Sequence, residues 1–149
     1  QRHLCWLTGG IEGDDTDGHI DDLARFISPT QIVVGIEDDP KDVNYRTLRR
    51  VRKQLDKLRD QDGRRFEIIE IPMPGVVQHD GQRLPATYVN FYFVNGALLV
   101  PTYRNKKNDA TLSTRTIEKA MKPAPRLESP AASRCIAATL VTTGPPVIG

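Results

Sequence analysis

Two periodicities alternate between residues 31 and 72, and that alternation limits the fold more than any other feature of the chain. Gln31-Ile-Val-Val-Gly-Ile is β-branched and predicts a strand. Glu37-Asp38-Asp39-Pro40 then predicts a helix start, and the helix runs to about Asp60. Leu48, Val51, Leu55 and Leu58 recur at three and four residues and mark its buried stripe. Gly63 stops it, and Phe66 to Ile71 alternates as a second strand up to Pro72. Strand, helix and strand in so short a space predict an α/β protein, because a helical crossover is the economical way to join parallel strands.

Downstream, Asn95-Gly96 stands between two apolar, β-rich runs and predicts a hairpin over residues 87–103. Asp109 is placed to cap a helix through Met121, with Leu112, Ile117 and Met121 facing inward. From Lys122 the composition shifts to Pro, Ala, Ser and Thr, and residues 122–149 are expected to be an irregular tail.

The chain has 149 residues, 38% of them hydrophobic and 6% aromatic, enough for one modest core that is expected to be incomplete. It opens on Gln1, which predicts a fragment of a longer protein. No apolar run approaches membrane-spanning length, so no membrane partner is expected. A net charge of +2 makes no case for nucleic acid. The helix does carry a basic stripe, Arg46, Arg50, Lys53 and Lys57, but without interleaved aromatics it reads as a solvated face. Cys5 and Cys135, far apart, suit free thiols in a reducing, cytoplasmic compartment.

Residues 13–22, Gly-Asp-Asp-Thr-Asp-Gly-His-Ile-Asp-Asp, hold the chemistry. One option is a solvated acidic loop. A calcium loop fails on register: counted from Asp15, the turn glycine position holds Ile20 and the bidentate glutamate position holds Phe26. Zinc is weaker still, because His19 lacks a second His or Cys at ligand spacing. The third option is a carboxylate and imidazole set that grips a planar cation such as guanidinium by bidentate hydrogen bonds. An extended chain here points His19 and Asp21 to one face. Ile20, Leu23, Ala24 and Ile27 equally fit helical spacing, which would turn those two side chains apart.

The run from Trp6 to Phe26, WLTGGIEGDDTDGHIDDLARF, resembles the His-bearing segment of agmatine deiminases, a branch of the peptidyl-arginine deiminase family. Two further segments resemble the same family in the same order: Phe66 to Pro74, and Arg83 to Tyr92 with Asn95-Gly96 and Val100-Pro101 behind it. The resemblance covers about residues 4–121. It implies a five-bladed α/β propeller (pentein) of ββαβ units, of which this chain supplies about two blades, with residues 1–121 as a partial catalytic domain. It also implies a strand from His19 to Ile27 that turns near Ser28-Pro29 into the next strand.

The activity implied is hydrolysis of the agmatine guanidinium to N-carbamoylputrescine and ammonia, without metal or organic cofactor, by a homo-oligomer of the full-length enzyme. A related guanidine such as peptidyl-arginine is the alternative substrate. By motif, His19 carries over as general acid/base and Asp21 as the guanidinium-binding carboxylate. Trp6 is assigned to shaping the loop, with core packing preferred over substrate contact as its other role, and Asn90 is assigned to backbone bonding in the sheet. The family nucleophile is a Cys that follows a His near the C-terminus; here Ser133-Arg134-Cys135 lacks that His, leaving Cys135 a poor match.

Overall fold

The computed structural model describes residues 3–15, 18–94, 97–111 and 138–143. Its centre is a three-stranded sheet, β2 (Ala24–Ser28), β3 (Gln31–Ile36) and β4 (Glu67–Pro72), in the order β2-β3-β4. β2 and β3 form an antiparallel hairpin with an irregularity between Phe26 and Ser28, whereas β3 and β4 run parallel with Ile32 opposite Ile68 and Val34 opposite Glu70. α2 (Tyr45–Leu55) makes the crossover between the parallel pair. The expected strand, helix and strand are therefore present, but the helix begins later than Pro40 and ends at Leu55, short of the expected Asp60 and well before Gly63. Residues 37–44 spend their polar groups on turns, with the Asp39 carboxylate accepting from the Lys41 amide at 2.9 Å.

Successive residues of β3 feed two cores. Ile32, Val34 and Ile36 pack with Leu48, Val51 and Leu55 of α2 and with Leu7, Leu23 and Phe66. Val33 faces the other way and joins Ile71, Tyr88, Val89 and Phe91. A strand covered on both faces reads as one continuous apolar run, which is what Ile32-Val33-Val34 shows. Ile32 is fully buried beneath α2. Ile32→Val is expected to cost about 0.5–1.5 kcal/mol, measured as a lowered urea midpoint with unchanged slope.

The segment from His19 to Ile27 is corrected. Residues Ile20–Leu23 close one helical turn, α1, and only from Ala24 does the chain extend into β2. Helical spacing wins because it sends Leu23 into the first core, where it is fully buried.

β1 (His3–Thr8) pairs in parallel with β9 (Ala138–Thr143), His3 opposite Ala138, so part of the C-terminal tail is backbone-paired. Trp6 is 54% exposed, which rules out core packing for it. β5 (Gln78–His79) and β6 (Gln82–Arg83) form a tight hairpin whose turn residues Asp80 and Gly81 both have positive φ, the pairing geometry such turns require. β7 (Tyr92–Val94) and β8 (Ala97–Leu99) are antiparallel as expected, in shorter strands; their connecting Asn95-Gly96 lies outside the described residues. Tyr88 and Phe91 before them are buried.

α3 (Lys106–Thr111) is capped by Asn105, whose side-chain oxygen accepts from the Asn108 amide at 3.2 Å. Asp109 is inside this helix and is not its cap. Its carboxylate accepts from the Tyr88 hydroxyl and, at 3.3 Å, from the Tyr103 amide. Burial and the neighbouring carboxylate push the Tyr88 hydroxyl well above its ordinary pKa. Leu112, Ile117 and Met121 lie outside the described residues.

Candidate functional site

The loop between β1 and α1 is pinned from outside before it reaches His19. Asn44, buried at the entrance to α2, accepts the Glu12 amide on its side-chain oxygen at 2.7 Å. The Asn44 amide in turn donates to Asp42 at 2.8 Å. The Asp42 carboxylate also takes both contacts of the Arg83 guanidinium, at 2.9 and 3.1 Å, with only 8% and 15% of the two side chains exposed. Gly13, at φ +92°, lies directly under the Arg83 backbone, and a Cβ there would collide with the Arg83 carbonyl. The β5–β6 hairpin and the start of α2 thus set where the acidic loop passes.

Asp14 then turns inward. Its side chain is 4% exposed, and one oxygen accepts the His19 amide at 2.7 Å while the other lies 3.4 Å from His19 Nδ1. His19, 57% exposed at its side chain, presents the rest of its ring to solvent. A carboxylate beside one imidazole nitrogen orients the ring and stabilises it when protonated.

Asp22 completes the cluster: one potential ligand atom each of Asp14, His19 and Asp22 lies within 4.8 Å of the others. Asp22 is buried, and its backbone carbonyl accepts the Thr87 hydroxyl at 3.1 Å. Thr87 in turn takes the Val89 amide at 3.1 Å. Burial pushes the Asp22 carboxyl up to about 6, assisted by the charges of Asp21 and Asp14 and opposed by His19 and by a hydrogen bond from Asn90. Because the folded protein holds this proton more tightly than the unfolded chain, the stability that Asp22 contributes is complete below about pH 4 and is lost as pH rises towards 6. Asp22→Asn is therefore expected to raise the denaturation midpoint at pH 7.5 relative to the parent chain and to leave it little changed at pH 4. Parallel curves at both pH values would contradict the buried, ionising carboxylate.

Of the residues singled out in the sequence, His19 is central to this cluster. Asp21 is half-buried in α1 and close enough for its charge to raise Asp22, but the extended alternation that paired it with His19 is absent. Cys135 lies outside the described residues. Asp14, Asp22 and Asn90 were not picked out. The helical spacing of Ile20, Leu23 and Ala24 was the available signal, since it rotates Asp22 inward. Asn90, assigned to backbone bonding, instead reaches the Asp22 carboxylate.

One imidazole and two carboxylates can accept a planar cation, and nitrogen with carboxylate oxygen also suits a divalent metal. No helix among the described residues is long and apolar enough to cross a membrane.

Residues 1–126 match the profile of the Porphyromonas-type peptidyl-arginine deiminases. Agmatine deiminase of Medicago truncatula is 35% identical over 127 residues, covering 72% of this chain and 34% of that protein. The Pseudomonas fluorescens agmatine deiminase is 30% identical over 120 residues, covering 68% and 33%. The solved structure of a C. jejuni agmatine deiminase variant with substrate bound superposes with a TM-score of 0.69 at 34% identity, over 94% of this chain and 36% of that one. The chain spans about a third of the length of the curated relatives it matches. Its α/β sheet, its His19-bearing acidic loop and these likenesses agree, and the chain belongs to the Porphyromonas-type peptidyl-arginine deiminase family.

Proposed function

We propose that this chain supplies the proton-transferring and cation-holding part of a site that hydrolyses the guanidinium of agmatine to N-carbamoylputrescine and ammonia. The convergence of His19 with the carboxylates of Asp14 and Asp22 carries this reading. Hydrolysis requires a nucleophile at the guanidinium carbon, a proton for the departing ammonia, and a base for the incoming water. His19 serves the last two steps in turn, and Asp14 holds its ring. Asp21 and Asp22 hold the cation. A thiolate nucleophile belongs to another segment, because Cys135 lacks the sequence setting the reaction needs.

In this reading the chain supplies about two ββαβ units of a five-bladed propeller with the site on its axis. The complete enzyme is a cytoplasmic homo-oligomer in polyamine biosynthesis. The family description names peptidyl-arginine, which makes a peptide-borne guanidinium the second reading.

Titration of the chain with agmatine, followed by the His19 ring signals in NMR, tests the binding half. A saturable shift with agmatine that putrescine fails to reproduce is expected, since putrescine lacks the guanidinium. Equal responses to both would sink the guanidinium assignment, and a stronger response to an arginyl peptide would favour the second reading. Ammonia release by the chain alone is expected to stay at background, because sites of this type collapse when one member is lost.

A further inference from the structure

The outer face of α2 carries charge that the fold leaves largely unneutralised. Arg46, Arg49, Arg50, Arg52 and Lys53 all belong to its 11 residues. They stand at like-charged i, i+3 and i, i+4 spacings: Arg46 with Arg49 and Arg50, Arg49 with Arg52 and Lys53, and Arg50 with Lys53. Each such pair weakens a helix. Carboxylates on this face go to Arg52, which takes Asp56 and, at 2.6 Å, Glu70. Arg49 lies over the Tyr45 ring, 5.3 Å from its centroid. Ion pairs among the described residues do not reach Arg46, Arg50 or Lys53. A groove of about 760 Å³ opens along these cations, with Tyr45, Asp56 and Glu70 completing its walls.

We propose that this groove binds a small polyphosphate anion, independently of the deiminase reading. Guanidinium forks match phosphate oxygens two at a time, and a lysine ammonium adds a point charge. Bound phosphates would relieve the repulsion along the helix. The groove has the size of a small-molecule site. An extended nucleic acid would want open aromatic faces for its bases, and Tyr45 is already covered by Arg49.

The test is calorimetric titration of the 149-residue chain with inorganic tripolyphosphate at physiological salt. Saturable binding is expected, weakened about tenfold or more in R50Q/K53Q, with R64Q/R65Q within about twofold of the parent. Without ligand, R50Q/K53Q should melt at a higher temperature, because like charges are removed; a purely structural role for these residues predicts the opposite. ATP binding as tightly as tripolyphosphate identifies the phosphate chain as the whole determinant, and ATP binding about tenfold tighter adds a nucleoside contact. Absence of saturation up to about 1 mM, equal weakening in R64Q/R65Q, or a thymidine oligonucleotide binding about tenfold tighter than tripolyphosphate would each overturn the proposal.

Discussion

A complete deiminase carrying this segment is expected to lose about 10²- to 10⁴-fold in agmatine turnover when His19 becomes alanine, the usual contribution of a positioned proton-transfer group. The ring is exposed and anchored at one nitrogen by Asp14, so removing it should leave the surrounding backbone in place. The loss should therefore fall on kcat rather than on folding. Asp14→Asn should give a smaller loss: the amide still accepts from the His19 amide, but its charge no longer supports an imidazolium during transfer. Steady-state kinetics beside circular dichroism would separate these effects. A decrease of less than about tenfold in a folded His19→Ala enzyme would remove His19 from the proton-transfer role.

Arg83→Ala should destabilise the chain by about 3–5 kcal/mol, because it strands the Asp42 carboxylate in a site with little access to water. The effect should exceed that of losing any surface ion pair, such as Arg64 with Asp60, where the Arg64 side chain is 66% exposed. Neutralising both members in D42N/R83Q should recover much of the loss, since two amides can still hydrogen-bond and no charge is left unpaired. Urea unfolding of the three proteins gives the comparison. A loss below about 1 kcal/mol for Arg83→Ala would mean that water reaches Asp42 and that the pair does not hold the loop.

The β3-α2-β4 unit was legible because each element carries one strong period, Leu48, Val51 and Leu55 at helical spacing and β4 running up to Pro72, although α2 ends at Leu55 and Gly63 is not what stops it. The start of α2 was less legible. Glu37 and Asp39 are good N-terminal residues, but their carboxylates accept from the Asp39 and Lys41 amides in local turns instead. In the site, His19 stood out by residue type, whereas its partners depended on whether four residues coil or extend. Ile20–Leu23 is too short for periodicity to decide, and the burial of Leu23 decides it in the fold. The Asp42–Arg83 pair joins positions far apart in sequence, and neither residue announces a partner locally. Burial of Tyr88 and Phe91 is not legible locally for a related reason: alternation cannot tell which face of a short segment meets Val33 and Ile71.

The parallel pairing of β1 with β9 gives the chain an order in time as well as in space. During synthesis Cys5, Trp6 and Leu7 emerge long before the strand that pairs with them, which comes from beyond residue 137. Everything between must be synthesised before that ladder can close, and closing so long a loop is entropically the least favoured step of the fold. Meanwhile β1 would leave an unpaired edge beside an exposed tryptophan, which is the condition under which nascent chains attract one another and chaperones. In refolding, Trp6 fluorescence should thus be among the last signals to recover, after the helical circular dichroism of α2.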